Sequence, residues 1–140
     1  DVSLVGSEMC IRDSHYVMRQ KIYNAARFYM RLKTEIWVQA LIMRASVGGA
    51  MATVFNRGDK DAGDCLVRVN NLDGSSSLFS PILGPEGQRI WQERVESGTD
   101  NQTIDTLIEQ DLCIDPDLWV VEIEDRLGRH FLEETVKKFR

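Results

Sequence analysis

Three carboxylates in the C-terminal part of the chain have a spacing that metal-dependent chemistry uses. Glu122 and Glu124 lie two residues apart in a strand-like run, so both side chains are expected on one face of a strand. Asp117 precedes them, and magnesium-dependent hydrolases and nucleases hold their metal with such groups. The polar outer face of a half-buried strand explains the same residues without a site. A magnesium-dependent hydrolase or nuclease that uses these three residues is therefore the alternative hypothesis.

Other catalytic and cofactor-binding patterns do not occur in the sequence. After residue 29 the chain has one histidine, His130, and two separated cysteines, which are too few soft ligands for a zinc site. The Gly-x-Ser-x-Gly turn of a serine hydrolase and the glycine-rich phosphate loops are both missing. We therefore expect no metal and no cofactor, and the sequence favours a protein that is not an enzyme.

Two loop-like segments are the predicted binding surface. The aspartate loop, residues 57–64, is rich in glycine and aspartate, and the arginine loop, residues 126–130, follows the last long strand-like run. Loops carry binding residues more often than strands do, so we expect the two loops to act together. The candidate binding residues are Arg57, Asp59, Asp61, Arg126, Arg129 and His130.

The charge and hydropathy of the chain limit its partners. Acidic residues number 22 and basic residues 17, and between Met30 and Arg140 the numbers are 19 and 13. Proteins that bind nucleic acid usually have a basic surplus or stripe. No run approaches the roughly 18 apolar residues that a membrane helix needs. We expect a protein or small-molecule partner, with no nucleic acid and no membrane.

The cysteines indicate a reducing compartment. Cys65 and Cys113 both stand in apolar runs, where cysteine is usually a small core residue rather than a disulfide partner. The cytoplasm is therefore the expected location, and a disulfide or a reactive thiol is the alternative.

The periodicity of the sequence predicts an α+β domain, with a mainly antiparallel sheet of four to six strands and two helices packed on one face. The clearest helix is at residues 100–113 and the clearest strand at residues 118–124. Asp73-Gly74 between two strand-like runs predicts a hairpin. Residues 31–47 fit both helical and alternating spacing, and we expect a short strand that runs into a helix.

The start of the chain does not read as part of the domain. Residues 4–14, LVGSEMCIRDS, back-translate into a string that resembles an adapter used in short-read library preparation, so residues 1–14 are expected to be an artefact. Residues 15–29 are expected to be a non-native or disordered leader, with Met30 favoured over Met18 as the true start. The domain is expected at residues 30–132, followed by a polar, helix-prone tail at residues 133–140.

Four stretches of the chain are distinctive in combination. They read MRLK followed by IWV from Met30, RGDKDAG from Arg57, VRV leading into LDG from Val67, and DPDLWVVEIED from Asp115 continuing to GRHF at Gly128. Through them the chain resembles a bacterial family known as domain of unknown function 1491, found chiefly in alphaproteobacteria. That resemblance implies lineage and compartment, but no mechanism, because the family has no assigned activity.

The functional prediction from the sequence rests on what is missing. The domain is acidic and has no nucleophile pattern, metal cluster or phosphate loop. It is therefore predicted to be a small cytoplasmic, non-enzymatic module that binds a protein partner or a small ligand.

Overall fold

Two helices and six strands make up the part of the chain that the structure, a computed structural model, describes, residues 33–140. The predicted adapter and leader, with both candidate start methionines, lie outside the described residues. In chain order the elements are α1 (Thr34–Val47), β1 (Met51–Asn56), β2 (Cys65–Asn70), β3 (Ser76–Leu83), β4 (Arg89–Glu93), α2 (Asn101–Ile114), β5 (Trp119–Glu124) and β6 (Val136–Lys137).

The strands form one mixed sheet in the order β1-β5-β2-β3-β4-β6. The prediction of an α+β fold with four to six strands is confirmed, but the prediction of a mainly antiparallel sheet is wrong. β5 pairs in parallel with β2, and β6 pairs in parallel with β4. The cause is that β5 returns after α2 and inserts between β1 and β2, and a parallel neighbour of this kind needs a long crossover. Alternation within a strand carries no information about which strand lies beside it.

α1 is helical over its whole length, so the predicted strand at its start is wrong. Val38, Leu41 and Ala45 follow each other at three- and four-residue spacing and are fully buried against the sheet. The misleading alternation arose because apolar residues also occupy the opposite side of this helix. Gly49, with a φ of 86°, ends the helix and turns the chain into β1.

The two helices cover opposite faces of the sheet, so the prediction that they share one face is wrong. The odd-numbered residues of β2 belong to the core beneath α1, whereas Leu66 belongs to the core beneath α2, with Ile104 and Ile108. β2 and β5 are central strands and are buried on both faces, which requires cover on each side. No helix within residues 33–140 is long and apolar enough to cross a membrane.

The predicted hairpin is confirmed, and the C-terminal tail has more structure than expected. β2 and β3 pair antiparallel around the Asp73-Gly74 turn, in which Gly74 has a φ of 92°. Residues 133–140 contain the short strand β6 rather than a helix, and Val136 lies beside the buried Trp91 of β4. Because β6 pairs with β4, the C-terminal tail is part of the sheet.

Candidate functional site

The aspartate loop is tied by its backbone to both α1 and β5. The N–H of Asp59 donates to the carbonyl of Asp117 at 3.0 Å, and the indole N–H of Trp119 donates to the carbonyl of Asp59 at 2.7 Å. The carbonyl of Lys60 accepts the N–H of Glu35 at 3.0 Å, in the first turn of α1. The loop therefore joins the start of β5 to the N-terminal end of α1.

The glycines of the aspartate loop have a packing reason. A Cβ atom on Gly58 would lie 2.0 Å from the carbonyl oxygen of Asp117, and one on Gly63 would lie 2.7 Å from the same atom. Only glycine permits the loop backbone to approach this close. These two glycines therefore let the loop pack against the segment before β5.

The charged side chains of the aspartate loop have partners within the domain. Arg57 forms an ion pair of 2.8 Å with Glu35 and lies over the ring of Trp119, 5.3 Å from its centroid. Asp61 lies 3.5 Å from the ammonium group of Lys33. Both are surface pairs, which contribute little to stability, and both leave the side chains accessible.

The carboxylate of Asp59 organises the loop itself. It accepts the backbone N–H groups of Asp61 at 2.9 Å and of Ala62 at 2.8 Å. These hydrogen bonds lower the pKa of Asp59 because they favour the charged form. Two of its lone-pair directions are therefore used inside the loop, as in an Asx turn.

The arginine loop is built around one ion pair at the C-terminal end of α1. The guanidinium of Arg129 lies 2.8 Å from the carboxylate of Asp125, and it also donates to the carbonyl of Gly48 at 3.0 Å. The hydrogen bond from Arg129 lowers the pKa of Asp125 to about 2. Arg129 also lies over the ring of Phe131, 5.0 Å from its centroid, and Arg126 is exposed.

His130 is a packing residue in this arrangement. Its Nδ1 accepts the N–H of Leu132 at 2.9 Å, and its ring meets the ring of Phe79 edge-on with 5.2 Å between centroids. Burial lowers the pKa of His130, because the charged imidazolium loses hydration. A neutral imidazole whose acceptor nitrogen is occupied is poorly placed to act as a general base.

The two predicted binding loops do not form one surface within a single chain. The aspartate loop contacts the start of β5 and the first turn of α1, whereas the arginine loop follows the end of β5 and contacts the last turn of α1. α1 has 14 residues, so its ends are roughly 21 Å apart at 1.5 Å per residue. Within one domain, the two predicted binding loops therefore lie at opposite ends of α1.

The three candidate catalytic carboxylates are placed differently from one another. Glu122 and Glu124 share a strand face as predicted, and Asp117 is exposed before β5 begins. Glu122 is buried and lies 3.5 Å from the guanidinium of Arg68. Within residues 33–140, no group of three His, Cys, Asp or Glu side chains could hold a metal ion. The arrangement gives the magnesium hypothesis no support.

A buried polar cluster beneath α2 was missed at the level of sequence. The side chain of Arg68 in β2 is only 5% exposed and forms ion pairs with Glu122 of β5 and Asp105 of α2. Its Nε also donates to the hydroxyl of Ser76 at 3.3 Å, and that hydroxyl lies 2.5 Å from the side-chain oxygen of Asn101. The charges are paired and hydrogen-bonded, which a buried ion pair requires. The cluster therefore fixes α2 on the sheet.

One edge of the sheet has a different character. Met51, Thr53 and Phe55 of β1 point to the α2 side and are exposed, Met51 by 63% and Phe55 by 59%. The alternate residues Ala52 and Val54 pack against the core beneath α1. No other strand of the described region pairs with the outer edge of β1. We call Met51, Thr53 and Phe55, with this outer edge, the β1 surface.

The β1 surface has few of the features that protect sheet edges. Natural edge strands are usually very short or carry charges or proline. β1 has six residues, MATVFN, none of which is charged and none of which is proline. Its one protective feature is an irregularity between Val54 and Asn56. The first four residues, Met51 to Val54, remain regular strand with a free edge.

Acidic residues border the β1 surface. Met51 lies opposite Glu124 and Thr53 lies opposite Glu122 in the pairing of β1 with β5. Glu122 is already paired with Arg68, so Glu124 is the acidic group that a partner segment would meet there. Complementary charge steers partners and selects among them. The carboxylate of Glu124 beside Met51 therefore favours a basic partner segment.

An open cleft lies between β4 and the C-terminal segment. Its volume is about 670 Å³, and it is lined by residues 92–94 and 137–140. Most of those side chains are charged or amide groups, whereas small-molecule sites are lined mainly by apolar and aromatic groups. The cleft therefore gives little support for a small-ligand site.

Comparison with known proteins gives the lineage of the chain. Residues 32–133 match the family model of DUF1491, a protein of unknown function. One similar solved structure is the crystal structure of a DUF1491 family protein from Caulobacter crescentus CB15, which is 50% identical in sequence. The match covers 76% of this chain and 99% of the Caulobacter chain, with a TM-score of 0.71.

A second similar structure is the solution structure of protein Atu0922 from A. tumefaciens, which is 34% identical in sequence. The match covers 77% of this chain and 98% of Atu0922, with a TM-score of 0.65. A search of the curated proteins finds no match. The chain therefore belongs to the DUF1491 family, whose function is unknown.

Proposed function

We propose that this protein is a non-enzymatic protein-binding module of the cytoplasm, whose β1 surface adds an extended segment of a partner protein to the sheet. The observation that supports the proposal is the open, uncharged edge of β1, six residues long, in the described region. Nucleic acid and membrane have no part in this function.

Strand addition uses both parts of the β1 surface. The unpaired N–H and C=O groups of an edge strand bind the main chain of an extended peptide, and side chains on the exposed face supply selectivity. Met51 and Phe55 offer two apolar contacts on one face with Thr53 between them. An extended segment places alternate side chains on that face, so every second residue of the partner meets these contacts.

The charge around the β1 surface points to a basic partner segment. Glu124 lies beside Met51, whereas Glu122 is already paired with Arg68. A lysine or arginine in the added strand gains favourable electrostatic interactions there, while an acidic segment is repelled. Because the charges are near the surface, binding should weaken as salt rises.

The cysteines support a cytoplasmic location. Cys65 and Cys113 are both free thiols, one buried and one exposed. Burial raises the pKa of Cys65 to about 12, so its thiol stays protonated and unreactive. A free, buried cysteine is typical of proteins in a reducing compartment.

Binding can be tested with peptide probes of defined charge. The probes are two blocked peptides of equal length, one repeating Val-Thr-Lys-Thr and one repeating Val-Thr-Glu-Thr, so that valine and the charged residue share one face of the extended peptide. We expect the lysine peptide to shift the backbone amide signals of Met51 to Val54 in a saturable way, measured by NMR titration of the full chain. The glutamate peptide should leave those signals unchanged. Saturable shifts confined to another element, or equal binding of both peptides, would contradict the proposal.

Two substitutions at one position separate edge pairing from general attraction. Thr53→Lys adds a positive charge on the exposed face of β1, and it should weaken the lysine peptide by at least about 10-fold, or 1.4 kcal/mol. Thr53→Glu should not weaken it. Ser97→Lys, in an exposed loop after β4, is the control with the same change of net charge. If both lysine variants weaken binding equally, the effect is only net charge and the β1 surface is not the site.

A further inference from the structure

The outer side of α1 carries an apolar stripe. Its members are spaced four, three and four residues apart, which places them on one line along a helix; they are Ile36, Ala40, Met43 and Val47. Met43 is 66% exposed and Val47 is 82% exposed. The stripe lies on the side of the helix opposite Leu41 and Ala45, which are buried against the sheet. We call these four residues the α1 stripe.

We propose that a second copy of this chain covers the α1 stripe, through antiparallel packing of the two α1 helices about a twofold axis. The proposal is independent of the β1 surface, which points to the other side of the sheet. A surface helix normally presents polar residues on its outer side. An apolar stripe along the full length of an outer face is typical of an interaction surface.

The spacing of the α1 stripe is complementary to itself in the antiparallel direction. When Ile36 of one copy meets Val47 of the other, Ala40 meets Met43, and both contacts occur twice because of the symmetry. The small side chain of Ala40 leaves room for the long, flexible side chain of Met43. Large residues facing small ones allow two helices to interlock. A parallel arrangement would instead place each residue against its own equivalent.

Charge at the two ends of α1 favours the same direction. The aspartate loop at the N-terminal end has three acidic and two basic residues, and the arginine loop at the C-terminal end has two arginines and no acidic residue. Antiparallel packing brings each loop next to the opposite loop of the other copy. It also places the positive end of one helix dipole beside the negative end of the other.

The loops also supply contact area. A specific interface buries about 800 Å² on each partner, which is more than four side chains on one helix offer. Asp61 and Arg129 both remain accessible in the single chain. The two loops that lie apart in one chain would therefore form a joint surface across the dimer, which is the arrangement that the sequence alone led us to expect within a single domain.

The dimer can be measured by sedimentation velocity on the full 140-residue chain. We expect a monomer–dimer equilibrium that shifts towards dimer as the protein concentration rises to about 1 mM. Met43→Glu should weaken dimerisation by at least about 10-fold, because it buries a charge without a partner. Thr106→Glu, on the exposed side of α2, makes the same charge change and should leave the equilibrium unchanged.

A charge-pair experiment tests the register. Ile36→Lys and Val47→Glu should each weaken the dimer, and the double variant should recover it, because each introduced lysine then faces a glutamate of the other copy. Unchanged urea midpoints at low protein concentration show that each variant folds.

A chain that stays monomeric up to about 1 mM overturns the proposal, as does a dimer unaffected by Met43→Glu. Single variants that weaken the dimer without recovery in the double variant overturn the register. Loss of the dimer in Thr53→Lys alone places the contact on the β1 surface and also overturns the proposal.

Discussion

The two helices of this domain both have 14 residues, but they differ in the residues that they expose to solvent. α2 buries Ile104 and Ile108 and presents mainly polar residues to solvent. α1 buries one side completely and still carries the α1 stripe on the other. A helix such as α2 buries most of its apolar surface when it packs on its own sheet. A helix such as α1 retains apolar surface that a partner can bury.

The ends of the two helices differ in the same way. The side chain of Asp100 caps α2 by accepting the N–H of Thr103 at 3.0 Å. Lys33 precedes α1 and makes no capping hydrogen bond with its side chain; the carbonyl of Lys60 accepts the N–H of Glu35 instead. α2 therefore carries its own start signal, whereas α1 depends on distant loops. This makes α1 the element that tertiary structure specifies.

The layers beneath the helices complete the comparison. The core beneath α1 is apolar, with Leu41 and Ala45 packed against β2 and β5. α2 covers an apolar core at Ile104 and Ile108, and beside it the ion pairs of Arg68. If this contrast is correct, the two helices should respond differently to the same kind of substitution.

The largest effect is expected beneath α2. Arg68→Ala leaves the carboxylate of Glu122 buried without its cationic partner, and breaking a buried pair in this way costs about 3–5 kcal/mol of unfolding free energy. Urea unfolding followed by tryptophan fluorescence measures it. The double variant Arg68→Met with Glu122→Met removes both charges and should recover most of the loss. A single variant as stable as the unchanged protein would show that the pair is not buried in solution.

Beneath α1 the expected loss comes from packing alone. Leu41→Ala removes a fully buried side chain, and such changes cost about 2–5 kcal/mol through lost burial and the cavity that remains. Ile36→Ala on the α1 stripe should change the stability of the dilute monomer by less than about 0.5 kcal/mol. Urea unfolding at low protein concentration gives both values. Equal losses would mean that the α1 stripe is buried within the monomer, and the contrast between the two sides of α1 would fail.

The same contrast explains how much of the fold the sequence could predict. α2, β5 and the Asp73-Gly74 hairpin were predicted because each pattern is local: one apolar face, one alternation, one turn that tolerates positive φ. α1 was mistaken in part because the α1 stripe blurs its periodicity. Strand order and the face that each helix covers depend on contacts distant in sequence, which no local pattern encodes.

The candidate site follows the same rule. The composition of residues 50–56 favours a strand, but whether the edge of that strand is open or paired depends on its position in the sheet order. The pairing of Arg68 with Glu122 has a weak sequence signal, since each charge interrupts an otherwise apolar strand. Their alignment appears only when β2 and β5 are known to be parallel neighbours.

A moderate effect is expected where the arginine loop holds the end of α1. Asp125→Asn weakens charge-assisted hydrogen bonds to Arg129 and should cost about 1–2 kcal/mol at pH 7. Because the pKa of Asp125 is lowered from 3.8 to about 2, its contribution is fully present above about pH 4 and is lost as pH falls towards 2. The free energy of unfolding at pH 7, 4 and 2.5 measures this. The difference between Asp125→Asn and the unchanged protein should shrink through that window, and a constant difference would contradict the assignment.

The smallest effect is expected at the cap of α2. Asp100→Ala removes the acceptor for the N–H of Thr103 and should lower the urea midpoint by less than Asp125→Asn does, because this residue is exposed and its partners can turn to water. Asp100→Ser keeps a neutral capping oxygen and should stay close to the unchanged protein at pH 7.

The hydrogen bonds from Thr103 lower the pKa of Asp100. The contribution of the charged cap to stability is therefore present above the ordinary pKa of 3.8, and it is lost as pH falls through the lowered value. The serine variant has no such titration and should lose less stability on acidification. If Asp100→Ala costs as much as Asp125→Asn, then α2 depends on its N-terminal contact as strongly as α1 depends on its loops, and the distinction between a self-capped helix and a loop-held helix does not hold.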